Sequence, residues 1–145
     1  MSTVNQNIIA KIITNMLTIS VANGFSFNIS GHVYDWRETP FDDAELPAII
    51  VRDPAHRFTD GNEDVAENEL DIEILLMAAP DNTSPEDLRN KKQDVMNAFK
   101  LIENETYVTG AQYLDSEIQV EHEKKKMAGS LMRFKVWYPT DRWSL

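Results

Sequence analysis

Apolar residues recur at three- and four-residue spacing through Val4, Ile8, Ile9, Ile12, Ile13, Met16 and Leu17. This stripe predicts an amphipathic first helix, capped by Ser2 or Thr3 and stopped at Asn23-Gly24. From Phe25 the pattern turns to β-formers, and a strand is expected from about Ile29 or Val33 to Arg37. An acidic, proline-bracketed loop follows, and Pro47 opens the apolar strand 48–52. Proline lacks the N–H that a ladder needs, so it belongs at the start of a strand or on an edge. Residues 53–66, with Pro54, Asp60-Gly61 and several acids, read as a polar loop.

Residues 67–77 alternate most clearly, with Leu70, Ile72, Ile74 and Leu76 on one face and Glu69, Asp71 and Glu73 on the other. Ser84, Pro85, Glu86 and Asp87 then start a second helix, whose stripe of Leu88, Val95, Met96, Phe99 and Ile102 runs to about Asn104. Beyond Gly110 a strand is expected over 113–123, with Leu114, Ile118 and Val120 sharing a face. Lys124, Lys125, Lys126 and Gly129 read as a turn. The last strand, 130–138, sets Met132, Phe134, Val136 and Tyr138 against Arg133, Lys135 and Trp137, and Pro139 ends it. The order is helix, three strands, helix, two strands. It predicts an α+β fold: a mainly antiparallel sheet of four to five strands, with mixed pairing allowed, and two amphipathic helices on one face.

Composition narrows the class. A chain of 145 residues with 42% hydrophobic content is expected to fold as one domain over 1–145. No apolar run approaches the ~20 residues of a membrane helix, and the start of the chain does not read as a secretory signal. With no cysteine, disulfides and thiol chemistry are excluded, which suits a cytosolic origin. The balance of 14 Lys+Arg to 24 Asp+Glu gives a net charge of −10. A chain this acidic is not expected to grip nucleic acid broadly, because such binding releases counterions from basic patches. The charge either keeps the protein dispersed or faces nucleic acid across a gap without sticking.

No motif carries chemistry. Asp60, Asn62 and Asp64 match the opening of a calcium loop with Asp71 in closing position, but Val65 replaces the required glycine. His32, His56 and His122 are too dispersed for a local metal site. Asp42, Asp43 and Glu45 would suit acid–base work only if a cleft perturbed them differently. The five glycines are all isolated, so no phosphate-cradling loop is present. Neither catalytic nor metal-binding nor cofactor-binding residues are assigned.

The residues singled out are for contact. The charged loop after the first strand offers Arg37, Glu38, Phe41, Asp42 and Asp43, with Arg37 and Phe41 as anchors. The loop 53–66 offers His56, Arg57 and Phe58. If the 67–77 and 130–138 strands run parallel, Leu75, Met77 and Trp137 gather beside Trp143 as an apolar patch. As neighbours in either direction, the two strands would set the acids of the first against the cations of the second.

The succession resembles the tail terminator (minor tail protein U-like) family of long-tailed bacteriophages. The resemblance rests on the first helix, the VYDWRETPFDDAELPAIIV entry, the ELDIEILLMAA strand, the SPEDLRNKKQDVMNAFKLI helix and the closing RFKVWYPTD. It spans nearly the whole chain as a likeness of length, order and texture. It implies a non-enzymatic virion protein, assembled in the host cytoplasm, that caps the tail tube as a hexameric ring. Its implied partners are further copies of itself, the tail tube protein and the head–tail connector, with DNA passing through unbound and no membrane involved. A connector or neck protein of the same virion, a small divalent-metal enzyme using the acidic loops, and a module sequestering a host protein are the alternatives.

Overall fold

The computed structural model describes residues 3–79, 84–122 and 126–145. The first helix, α1 (Val4–Leu17), is capped by Thr3, whose side chain accepts from the Gln6 N–H. Its stripe buries Ile8, Ile9, Ile12 and Met16. Each full burial contributes roughly 1.5–3 kcal/mol, an upper figure because unfolded chains already hide some surface. The second helix, α2 (Pro85–Lys100), begins on the Ser84 cap with Pro85 in its first turn and runs into a short 3-10 turn, Leu101–Asn104. Asp94 of this helix accepts both the backbone N–H (2.8 Å) and the hydroxyl of Ser26, tying the segment after α1 to α2.

Five strands, β1 (Val33–Asp35), β2 (Ala48–Gly61), β3 (Val65–Met77), β4 (Gly110–His122) and β5 (Lys126–Asp141), form one sheet in the order β1-β2-β3-β5-β4. The β1–β2 pair is parallel and the other three are antiparallel. A parallel pair cannot be joined by a tight hairpin. The charged loop between β1 and β2 is long because it must bring the chain back to the starting end of β1.

Both helices pack on one face, as the patterning predicted. There Ile49 and Val51 of β2, Leu70, Ile72, Ile74 and Leu76 of β3, and Met132, Phe134, Val136 and Tyr138 of β5 join the helix stripes in one core. At its centre Phe134 stacks on Phe99 with ring centroids 3.9 Å apart.

Five expectations are corrected. Residues 53–66 are not a loop: β2 continues to Gly61, and β3 starts at Val65 across a turn at 62–64. Pro54 is tolerated there because the register slips between Arg52 and Ala55, and β1 covers only Ile49–Val51, so this part of β2 is an edge. Pro139 does not end β5, which pairs with β3 as far as Asp141. The neighbour on its other side begins only at Gly110, opposite Trp137, so a missing N–H facing that side leaves no carbonyl unpaired. Gly129 lies within β5 rather than in a turn, and a Cβ there would sit 2.9 Å from the Leu76 carbonyl oxygen. Leu114 does not share a face with Ile118, because a slip between Tyr113 and Asp115 turns it toward Pro54 and Arg133 on the side away from the helices.

The fifth correction concerns the apolar patch. The β3 and β5 strands are antiparallel: Leu75 lies opposite Leu131 and Met77 opposite Gly129, while Trp137 lies opposite Glu69. Leu75 and Met77 therefore sit at one end of the sheet, with Trp137 and Trp143 toward the other.

Candidate functional site

The predicted contact residues divide between two ends of the sheet. At the first end Arg37 organises its own loop. Its guanidinium forms a fork on Glu45, with Nη1 on Oε2 and Nη2 3.0 Å from Oε1. It also donates to Thr39 Oγ1 (3.0 Å) and to the Pro40 carbonyl (2.9 Å). It lies over the rings of Phe41 (4.2 Å) and Tyr34 (4.7 Å), which pack together. Glu45 also accepts the Asp42 N–H at 3.1 Å. Hydrogen bonds from Arg37, then from Asp42, hold the Glu45 carboxyl well below its usual range, at about 2. Arg37 and Phe41 are thus spent on each other, while Glu38, Asp42 and Asp43 are exposed. Beneath them Leu46 and Ile50 are buried outside the main core.

The second end is built by the β2–β3 hairpin and the segment after β5. Asn62 closes the turn, its Oδ1 accepting the N–H groups of Asp64 and Val65, both at 2.9 Å. Of the residues that resemble a calcium loop, Asn62 and Asp64 lie in this turn, Asp60 in β2 and Asp71 in β3, where Arg57 holds it at 2.8 Å. The Arg142 N–H donates to the Asp64 carbonyl (3.1 Å), and the Val4 N–H to that of Leu145 (2.9 Å). These bonds bind the end of the chain between hairpin and α1.

Trp143 stands on this segment. The residue is 86% exposed, and its backbone is left-handed at φ 71, a conformation that costs a bulky residue roughly 1–3 kcal/mol. Open cavities of about 530 Å³ and 820 Å³ flank it, the first lined by Phe58 and Arg142, the second by Thr3, Val4 and Leu145, and both by Val65. Phe58 is 53% exposed and meets His56 edge-on at 5.2 Å.

Sequence reasoning missed Asn68 below this surface. Its Nδ2 donates to Thr140 Oγ1 (2.8 Å) and to the carbonyls of Tyr138 (3.1 Å) and Ala66 (3.2 Å). Its Oδ1 is therefore an acceptor, which assigns the proton of His56 to Nε2, 2.8 Å away. The signal was available: Asn68 has the same parity as Leu70 and Ile72, so a polar side chain had to enter the core. Burial pushes the Tyr138 hydroxyl up to about 12.

Between the two ends, the face without helices carries ion pairs. Lys135 reaches Glu69 at 2.6 Å, Arg57 reaches Glu69 (2.9 Å) and Asp71 (2.8 Å), and Arg133 reaches Asp115 (2.7 Å) and Glu117 (3.4 Å) of β4. Lys135 and Arg57 together pull the Glu69 carboxyl below its ordinary value. The cross-strand pairing expected from the charges is present, but Arg133 turns to β4 rather than to Glu73.

His32 Nδ1 lies 3.2 Å from the Pro47 carbonyl. The side chain of His122, like Lys124 and Lys125, lies outside the described residues, and Lys126 opens β5. Among the described residues no group of three or more His, Asp or Glu could hold a metal ion, and no helix is long and apolar enough to cross a membrane. At the second end Phe58, Val65 and Trp143 offer exposed apolar contact area. No protein-family model matches the chain, and no curated protein matches it significantly.

Proposed function

We propose that this chain is a structural subunit of a long-tailed phage virion, a tail terminator that caps the tail tube as a ring and presents a joining surface to the head. The observation that carries the reading is Trp143, an aromatic side chain held almost wholly in water on a strained backbone between two open cavities. Interfaces draw much of their energy from a few such aromatic anchors. A cap on a tube needs contacts above, below and to both sides. The exposed end at Trp143, the self-braced loop at the other end and the two sheet edges supply four such surfaces. The resemblance in element order and texture points the same way. In this reading the net charge of −10 lets DNA pass without adhering.

Light scattering over a range of concentrations, with electron microscopy of the protein alone and mixed with tail tubes, tests the proposal. Six-fold rings, or caps that stop tube growth, are expected. A strict monomer that leaves tube length unchanged overturns it, and binding to head connectors without tubes assigns the chain to the neck instead.

A further inference from the structure

Apart from the three-residue outer edge of β1, two longer stretches of strand border the sheet without a neighbour among the described residues. One is β4, the last strand in the order; the other is β2 beyond Val51, where β1 stops. We propose that these edges pair with each other between copies, β4 of one subunit against residues 55–59 of β2 in the next. The proposal rests on the ring reading and names its lateral junction.

Direction, face and charge all fit. From β2 to β3 to β5 to β4 the chain direction reverses three times, so β2 and β4 run oppositely. In a closed ring every copy has the same polarity about the axis, so the junction is antiparallel and continues the sheet. The β3 and β5 partners fix the faces. His56 and Phe58 of β2 lie opposite Leu70 and Asn68, and Ser116 and Ile118 of β4 opposite Met132 and Ser130, all on the helix side. Arg57 lies opposite Glu69, and Asp115 and Glu117 opposite Arg133 and Leu131, all on the other side.

The register that sets Arg57 against Glu117 therefore sets His56 against Ile118 and Phe58 against Ser116, with both faces matched. The side chains of Arg57, Asp115 and Glu117 are 44%, 61% and 56% exposed, so all three are within reach of a neighbour. On the helix side the exposed ring of Phe58 and the aliphatic surface of Ile118 leave water together. The junction extends the ion-pair array of one subunit into the next. Pro54 and the slip beside it confine pairing to the stretch after them, which discourages indiscriminate edge stacking.

The chain has no cysteine, so a disulfide scan reads this directly. The double variants His56→Cys with Ile118→Cys, and Phe58→Cys with Ser116→Cys, are to be oxidised in the assembled state and run without reductant. A ladder of covalent oligomers up to the ring, from either pair and from none of the four single variants, is expected. The second pair spares the His56–Asn68 bond, and melting curves establish that each variant folds. Dimers from Ile118→Cys or Ser116→Cys alone indicate β4–β4 contact and overturn the junction. Rings that form without a ladder from either pair overturn the junction and leave the ring reading standing. No association under any condition overturns both.

Discussion

The two ends of the sheet hold similar residues and treat them differently. Each has an arginine, an aromatic pair and a tryptophan at positive φ, Trp36 at 54 and Trp143 at 71. At the 37–45 loop these groups satisfy each other. Arg37 forks onto Glu45 and lies over two rings, and the Trp36 indole donates to Asp53 at 2.6 Å. At the hairpin end Arg57 is engaged on the sheet face, while Phe58 and Trp143 have little protein around them. A charged, aromatic loop is therefore not an interface by composition. What distinguishes the ends is whether the groups that would bind a partner already have one. A prebuilt loop docks as a rigid body with little ordering cost, whereas an exposed tryptophan gains its energy only on contact.

The comparison can be broken most severely from beneath. Phe134→Ala removes the ring between Phe99 and Tyr113 and should cost about 3–5 kcal/mol of stability, read by denaturant unfolding. If assembly then fails at both ends together, the two regions share one scaffold. Survival of either end at full strength would mean that they fold independently.

Trp143→Ala comes next. It should weaken binding to tubes or to further copies by about 2 kcal/mol, near 30-fold, with stability moving by no more than about 0.5 kcal/mol. Light scattering and melting separate the two quantities. A large loss of stability with unchanged association would reassign Trp143 to folding.

Arg37→Ala should behave in the opposite way, lowering the melting temperature by about 3 °C with a smaller loss of association. Lysine should not restore it, because a point charge cannot reproduce the fork on Glu45 or the stacking on Phe41. Loss of assembly at unchanged melting temperature would make Arg37 a direct contact.

The smallest effect is in pH. The folded Glu45 carboxyl lies at about 2 against an ordinary value of 4.5, so its contribution is fully present above the ordinary value. It is lost as pH falls from there toward about 2. Wild type should therefore melt above Glu45→Gln at pH 6, with the gap closing across that window. A gap that stays constant to pH 2 would remove the ion pair as the brace of the loop.

The residues of the chain determined its periodic elements. Three- and four-residue spacing placed both helices, and strict alternation placed the cores of β3 and β5, because those faces must be buried whatever their neighbours. The same alternation puts Asn68 in phase with Leu70 and Ile72, a signal for a buried polar group that sequence reasoning missed. Strand pairing was not legible. The alternating pattern of residues 67–77 or 130–138 is the same whether the partner runs parallel or antiparallel, so it carries no information on whether Leu75 and Met77 meet Trp137, and the register puts them at opposite ends. Residues 53–61 read as loop because an edge strand is polar, holds a proline and slips register. These features are permitted only by the missing neighbour, which is a tertiary fact. The roles of Arg37 and Trp143 were decided there too. Their identities fix what they can bind, and only the packed chain settles that one has its partners already while the other, with the Arg142 guanidinium 5.6 Å from its ring, is otherwise in water.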